Sequence, residues 1–352
     1  MGHRLRVSRL PLAVLGTGSV LPGARVSNAE LLAAIERHCG RRTRRRADVA
    51  LARLGVNGRH LVRGLQKPRE SARPGDTNSE LAARAVEAAL AQSGLDVAAL
   101  GYLIGHTTSP QTQLPPSVSW AADELQYAGP YMELRQACTG FANALQVAGG
   151  LLREEAAPPV AIVGSETGSL YFELSSGFVD REQVVNCVQM CDGAGAVLLG
   201  PGRPSARSLI EAMWFGTRGL SRSPGFWMEA AQGGEGPAIF RHDYRGVREH
   251  GPELFEAGVE TAAELGYALQ DFDHVLPHQA NGRMAEMLAH GLGLPASRVI
   301  SDGADIGNLG SASIWVSFDR LRRSGRLQAG ETVLVLGAEA TKYMFGGFVY
   351  RH

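Results

Sequence analysis

Leu103-Ile104-Gly105-His106 and, 172 residues further on, Val275-Leu276-Pro277-His278 share one pattern: two apolar residues, a Gly or Pro, and a histidine. A second pair, Val163-Gly164-Ser165-Glu166 and Leu336-Gly337-Ala338-Glu339, repeats after 173 residues. Between them, Ala137-Cys138-Thr139-Gly140 falls opposite Gly307-Asn308-Leu309-Gly310 at an offset of 170. Each match is weak alone, but three at nearly one spacing predict a duplicated chain. Its halves span residues 1–200 and 201–352, related by a pseudo-twofold axis. No linker rich in Pro, Gly and Ser separates them, which predicts a tight interface between the halves.

The elements around these repeats read as α/β. Tyr102-Leu103-Ile104-Gly105 and Val160-Ala161-Ile162-Val163-Gly164 are short apolar runs closed by turn residues, the pattern of buried strands. Thr77 and Glu80 form a capping box ahead of Leu81, Ala82, Ala85, Val86, Ala89 and Leu90, with Gly94 as the stop. Pro252 opens a second amphipathic segment, through Leu254, Phe255, Val259, Ala262 and Leu265 to about Tyr267. Strands alternating with helices predict helices layered on sheet faces.

Composition narrows the function. The 352 residues carry 35 Lys+Arg against 35 Asp+Glu, which argues against a general nucleic-acid binder. Only Lys67 and Lys342 are lysines, so the positive charge is nearly all arginine. Four cysteines are too few for a disulfide scaffold and suggest a reducing, cytoplasmic setting. The early apolar run Pro11–Gly16 is too short for a signal segment or a membrane span. Residues 39–75 break the pattern, with Arg41, Arg42, Arg44, Arg45, Arg46, Arg59, Arg63, Arg69 and Arg73. They read first as a solvated or mobile excursion, and second as a basic platform for an acidic partner or a phosphate-bearing substrate.

If the halves pair, turns at matching places converge near the axis. Cys138 then lies just ahead of the apolar segment Phe141–Leu145, where a helix start and its dipole favour a thiolate. His278 and Asn308, in turns of the other half, would supply proton handling and hydrogen-bond donors for an oxyanion. A structural reading competes, because a lone buried cysteine is usually core.

Leu134-Arg135-Gln136-Ala137-Cys138-Thr139-Gly140-Phe141 resembles the nucleophile segment of beta-ketoacyl-acyl carrier protein synthase III and its relatives in the thiolase superfamily. Pro277-His278-Gln279-Ala280-Asn281 is similar to that family's His motif, and Gly307-Asn308 with Ser311-Ala312-Ser313 to its Asn motif. Cys191-Asp192-Gly193-Ala194-Gly195-Ala196 resembles its glycine-rich turn, and Gly16-Thr17-Gly18-Ser19 its opening strand and turn. The resemblance implies a thiolase fold: α/β, two duplicated five-layered (αβαβα) halves about a pseudo-twofold axis, in a cytoplasmic homodimer. It implies a Cys138-His278-Asn308 triad, with the acyl group of an acyl carrier protein or coenzyme A thioester taken onto Cys138. Asn281 corresponds to the contact with the pantetheine arm, Arg283 to the contact with the carrier protein, and Leu114 to the residue lent to the partner's acyl pocket. No metal and no cofactor are implied beyond the thioester substrate, and neither nucleic acid nor membrane is a partner.

Three departures point to a specialised relative in secondary metabolism. The segment that grips the coenzyme A nucleotide is represented only by Leu54-Gly55-Val56-Asn57-Gly58-Arg59, with no Trp nearby. Ala340-Thr341-Lys342 stands where the family has glycines, and Gly346 and Gly347 come later. The arm at 39–75 is long and rich in Arg. The reading these favour is transfer of the acyl group to a hydroxyl or amine of a small-molecule acceptor in natural-product biosynthesis. The alternatives are decarboxylative condensation with malonyl carrier protein, which the retained Asn308 suits, and a non-catalytic partner subunit or carrier-docking module.

Several residues carry plainer readings. Cys187 and Cys191 read as core and Cys39 as exposed. His106, the repeat partner of His278, reads as structural or as lining the tunnel. His242, His250, His274 and His290 read as surface or capping residues, and Trp214, Phe215, Phe226, Trp227 and Met228 as core before tunnel. Gly16-Thr17-Gly18 has Leu21 where a dinucleotide fingerprint needs glycine. Gly164-Ser165-Glu166-Thr167-Gly168 has its serine one place too early for a nucleophile elbow.

Overall fold

A computed structural model describes residues 5–203, 206–229 and 238–352. The first part of the chain forms β1 (Arg6–Ser8), β2 (Leu12–Val20), β3 (Val26–Ser27), α1 (Asn28–Cys39), α2 (Arg41–Leu54), β4 (Gly58–Arg59) and α3 (Asn78–Ser93). It continues through β5 (Tyr102–His106), α4 (Ser117–Glu124), β6 (Tyr131–Leu134), α5 (Gly140–Leu151), β7 (Val160–Glu166), α6 (Gln183–Gln189) and β8 (Gly193–Pro201). The second part forms β9 (Leu209–Thr217), β10 (Phe226–Glu229), β11 (Ile239–His242), α7 (Tyr244–His250), α8 (Pro252–Glu264) and β12 (His274–Pro277). After these come α9 (Met284–Leu292), α10 (Gly303–Ile306), α11 (Ser313–Arg323), β13 (Thr332–Glu339) and β14 (Met344–Arg351).

The main sheet runs β12-β13-β14-β9-β2-β8-β7-β5-β6, with β1 also on β9. Read outward from the β9/β2 junction, both directions give the same sequence of pairings. β8 and β14 are antiparallel to the strands at the junction, and β7 and β13 are antiparallel to those. β5 and β12 then join in parallel. The repeat seen in the sequence is therefore a repeat of topology.

Side-chain alternation along these strands sorts the apolar residues into layers, because successive residues face opposite sides of a sheet. Ile104, Ile162 and Val197 face inward to join Met213, Leu276, Val335 and Phe348 in one central core. That core encloses α5 and α11, through Phe141, Leu145, Ile314, Trp315 and Phe318. The alternate residues Leu103, Ala161, Val163, Ala196 and Leu198 face α3 and α4. On the other side Trp214, Val275, Leu334 and Val349 face α8 and α9. The resulting order is outer helix, sheet, central helices, sheet, outer helix, with both halves contributing to the five layers. Strands covered on both faces need the near-continuous apolar runs seen in the sequence.

Local signals account for the outer helices. Thr77 and Glu80 complete the capping box of α3, and Gly94 closes it at φ +71°. Pro252 occupies the first turn of α8, which ends at Glu264 with Leu265 as its cap, short of Tyr267.

Residues 39–75 are packed on one side, not a free excursion, although Arg41, Arg42, Arg45, Arg69 and Arg73 face solvent. Arg41–Leu54 is helix α2, with Thr43, Ala47 and Leu51 buried. Arg59 and Arg63 are fully buried. Arg63 donates to the carbonyls of Phe172 and Pro68 at 2.8 Å each and to Lys67 and Gly64 at 3.1 Å each. Arg59 donates to Asn28 Oδ1 at 2.8 Å and the Val188 carbonyl at 3.1 Å. Each planar guanidinium satisfies several carbonyls at once, which tacks this arm to the segment 172–188. Cys39 is likewise buried, not exposed, because the apolar face of α1 turns inward. Cys187 and Cys191 lie in the core, and Cys191 Sγ accepts the His60 N–H at 3.1 Å. No helix among the described residues is long and apolar enough to cross a membrane.

Candidate active site

The chemistry gathers at the starts of the two central helices. Neither α5 nor α11 is capped by a side chain of its own. Each is closed by a buried glutamate from the opposite half. Glu339, at the end of β13, accepts Thr139 N–H at 2.9 Å and Thr139 Oγ1–H at 2.7 Å. Glu166, at the end of β7, accepts Ser311 N–H at 3.1 Å and Ser311 Oγ–H at 3.0 Å. Thr139 and Ser311 are 172 residues apart, so the structural offset here is 172 instead of the 170 read from the sequence. Glu166 also accepts from Thr108 Oγ1 at 2.8 Å and from Ser109 Oγ, while Glu339 also accepts from Thr341 Oγ1.

Two glycines are required by this packing. A Cβ on Gly140 would lie 2.6 Å from His106 Nδ1, and one on Gly310, at φ +50°, would lie 2.5 Å from Glu166 Oε2. His106 is structural. It is buried, its Nε2 accepts the Trp315 indole N–H at 3.1 Å, and burial holds it down to about 3.

Cys138, His278 and Asn308 all line one cavity of about 560 Å³, together with Glu166, Glu339 and Asn281. Burial holds His278 down to about 4, so the imidazole is neutral near pH 7, and its Nδ1 has no hydrogen-bond partner among the described residues. Gln279 fixes the loop behind it, donating to the Pro277 and Ile300 carbonyls and accepting from Asp302 and Gly303 N–H. Asn308 is held by its backbone to Gln189 and Cys191, and its Oδ1 accepts Gly310 N–H at 2.9 Å. Its Nδ2 makes no hydrogen bond among the described residues.

The thiol departs from the sequence expectation. Burial, then the carboxyls of Glu339 and Glu166, push Cys138 well above the usual thiol range. The helix start was expected to favour a thiolate, but the N–H of Thr139 is already taken by Glu339. Burial also raises Glu166 and Glu339 themselves.

Of the other candidates, only Asn281 joins this group. Asn281 lines the cavity, with its Oδ1 accepting Arg283 N–H at 2.9 Å. Arg283 is exposed beside it and donates to the Ala52 carbonyl at 3.1 Å, joining α9 to α2. Leu114 is 85% exposed and does not line the cavity of its own chain. Ala340 and Thr341 line the cavity, whereas Gly346 and Gly347 lie within β14.

His242, by sequence a surface or capping residue, lines the cavity, stacked on Tyr244 at 4.9 Å and tilted against Phe226 at 4.5 Å. Its place depends on the β10–β11 hairpin, which no periodicity around His242 announces; only the neighbouring aromatics hinted at it. Of the aromatic residues read as core before tunnel, Phe226 lines the cavity and Trp214 is core, whereas Trp227 is 37% exposed and is neither.

The chain thus has the duplicated five-layer thiolase fold, with a cysteine, a histidine and an asparagine on one cavity. The family description 3-oxoacyl-[acyl-carrier-protein] synthase III matches residues 132–218, and its C-terminal counterpart matches residues 262–351. This chain belongs to that family. It is 31% identical over 350 residues to a beta-ketoacyl-[acyl-carrier-protein] synthase III of Sphingopyxis alaskensis, covering 96% of this chain and 97% of that protein. Among solved structures it is similar to AbyA1, a tetronic acid condensing enzyme, with TM-score 0.84 and 27% identity over 97% of this chain and 100% of that one. A priming beta-ketosynthase from a polyketide biosynthetic pathway gives TM-score 0.80 and 27% identity, over 97% of this chain and 96% of that one.

Proposed function

We propose that this chain is an acyltransferase working in two half-reactions through an acyl-Cys138 intermediate, with a hydroxyl or amine of a natural-product intermediate as the acceptor. The donor is an acyl carrier protein or coenzyme A thioester. The Cys138 sulfur attacks the thioester carbonyl, its proton passes to His278, and the donor's C–S bond breaks as the new S–C bond forms. The departing thiolate takes the proton from His278. In the second half-reaction His278 accepts the proton of the acceptor O–H or N–H while that atom attacks the acyl carbonyl. The Cys138 S–C bond then breaks and the sulfur regains the proton. Asn308 Nδ2 donates to the oxyanion.

The observation that carries this reading is a neutral His278 sharing one cavity wall with Cys138, since an uncharged imidazole can take a proton from O–H or N–H. The departures at Ala340-Thr341-Lys342 support a specialised acceptor. The acyl-enzyme, formed with a reactive thioester and verified by intact mass, is offered hydroxyl and amine acceptors. Loss of the adduct with formation of ester or amide supports the reading. Cys138→Ala abolishes loading, and His278→Ala slows loading, leaving it only partly intact, and stops transfer.

A second reading is decarboxylative condensation with malonyl carrier protein. Asn308, whose Nδ2 has no partner among the described residues, favours it, and so do the condensing and ketosynthase activities in the names of the similar structures. Stoichiometric release of labelled carbon dioxide from malonyl carrier protein, with loss of the acyl adduct, would replace the first reading by this one. The exposed Leu114 fits a homodimer in which it enters the partner's cavity.

A further inference from the structure

The β10–β11 hairpin and its surroundings lay a continuous run of rings along the cavity. Tyr171 packs on Phe240 at 5.3 Å, Phe240 on Phe226 at 5.1 Å, Phe226 on His242 at 4.5 Å and His242 on Tyr244 at 4.9 Å. Phe226, His242 and Tyr244 line the cavity and are half-buried, while Phe240 is buried behind them. We propose that the acceptor of the second half-reaction has a flat, aromatic or conjugated body, which lies against the Phe226-His242-Tyr244 wall while its hydroxyl or amine reaches the acyl group on Cys138. This inference rests on the acyl-transfer reading and names the class of molecule that reading requires.

The backbone sets these rings before any substrate arrives. Phe226 and His242 are direct cross-strand partners in the antiparallel β10–β11 pair, so their side chains leave from one face. Phe240, two residues before His242 on the same strand, shares that face. Residues at the start of α6 hold all three places on the other strand side. Gln183 Nε2 and Asn186 Nδ2 donate to the Phe240 carbonyl at 2.6 and 3.3 Å. Glu182, just ahead of α6, accepts the His242 N–H on Oε1 at 2.5 Å and the Tyr244 hydroxyl on its carbonyl at 3.1 Å. A wall fixed in this way needs little reordering when a ligand binds. It is also uncharged. Burial holds His242 down to about 4, and its Nδ1 has no hydrogen-bond partner among the described residues.

Exposure shows which way the cavity opens. Arg248, Glu256 and Met287 line it and are exposed, whereas His278 and Glu166 are buried. Tyr244 is one turn of α7 from Arg248, so the rings run inward from the mouth. Once the donor thiol has left, an acceptor passes along them on its way to Cys138. Phe255, Met284 and Leu288 add to the apolar lining. An aromatic group set against one such ring gains roughly two- to tenfold in affinity beyond what its buried area supplies.

The test compares naphthylmethanol with its perhydro counterpart, which has the same carbon skeleton and hydroxyl but is thicker and more hydrophobic. Burial alone favours the saturated alcohol, and a wall of rings reverses the order. Calorimetry on the wild-type protein gives the two affinities, and intact mass follows discharge of the preloaded acyl-enzyme by each alcohol. Naphthylmethanol is expected to bind and to discharge at least about fivefold better. Tyr244→Leu is expected to close that gap with the saturated alcohol's rate retained, and Tyr244→Phe, which keeps the ring, to preserve it. Equal affinities, or tighter binding of the saturated alcohol to wild type, overturn the inference without any variant, and so does a gap that survives in Tyr244→Leu. Discharge by both alcohols with equal affinities leaves acyl transfer standing and removes only the flat acceptor. Preferential binding of naphthylmethanol with no discharge by any hydroxyl or amine removes the transfer reading, and the acceptor with it.

Discussion

Replacing Glu166 should damage the second half-reaction more than the first, and the structure sets the size of the effect. The carboxylate accepts from four donors: Thr108 Oγ1, Ser109 Oγ, Ser311 N and Ser311 Oγ. Hydrogen bonds to an ionised group are worth about 1.5–3 kcal/mol each, or about 6–12 kcal/mol in total. That total overcounts, because desolvating the carboxylate costs several kcal/mol and the three hydroxyls can turn to other acceptors. Ser311 N–H cannot turn, and it sits at the start of α11, just past the Asn308 loop. The expected loss in Glu166→Ala is therefore about 1–3 kcal/mol for the orphaned Ser311 N–H, with the emptied side-chain space adding to it. Glu166→Gln keeps the volume, but its amide nitrogen must face at least one donor cluster, so it should lose nearly as much. Urea unfolding monitored by fluorescence gives the stability, and acyl loading and acyl discharge are timed separately by intact mass. Loading should persist while discharge slows, because Asn308 loses its support and Cys138 keeps its own. Glu166→Gln with wild-type stability would refute the hydrogen-bond argument, and equal slowing of both steps would refute the link to Asn308.

Arg63→Met should loosen the arm 60–73, because four carbonyls lose their donor while the volume is largely kept; faster tryptic cleavage at Lys67, Arg69 or Arg73 is the measure, and unchanged resistance would count against it. On the preloaded enzyme, discharge should fall only as the pH drops through about 4, where His278 gains a proton; pH-jump kinetics showing a limb near 6.5 would mean that the imidazole is not held neutral by burial. Loading from a carrier protein should weaken with added salt more than loading from a small thioester, because Arg41, Arg42, Arg45 and Arg46 share a face of α2, whose last residue, Leu54, reaches the cavity. Equal salt slopes would remove that helix as the docking surface.

What could be read in advance was whatever lies in short stretches or in their repetition. The α3 cap and stop are decided within a few residues, and the paired strand motifs reported the doubled topology because each half must bury the same faces. Cys138, His278 and Asn308 were legible as a group through the motifs around them. Arg59 and Arg63 were not, since a guanidinium reads as solvent-facing until the carbonyls that receive it are known. Cys39 was misplaced for the opposite reason: neighbouring charges suggested exposure, while the inward face of α1 decided it. His242 required the β10–β11 hairpin to bring it to the cavity, and Glu339 required knowing which helix it closes. In both cases the partner comes from elsewhere in the chain.

The crossed glutamates carry a consequence for how such a chain can change. Glu166 belongs to one half and secures Ser311 in the other, while Glu339 does the reverse for Thr139. A polypeptide severed between Pro201 and Leu209 would leave each fragment with a bare helix start and a buried acid lacking its principal donors. Neither copy is a self-sufficient ancestor of the other any longer. Their surfaces, loops and pockets are free to diverge, but the two ends that trade carboxyls must be inherited together.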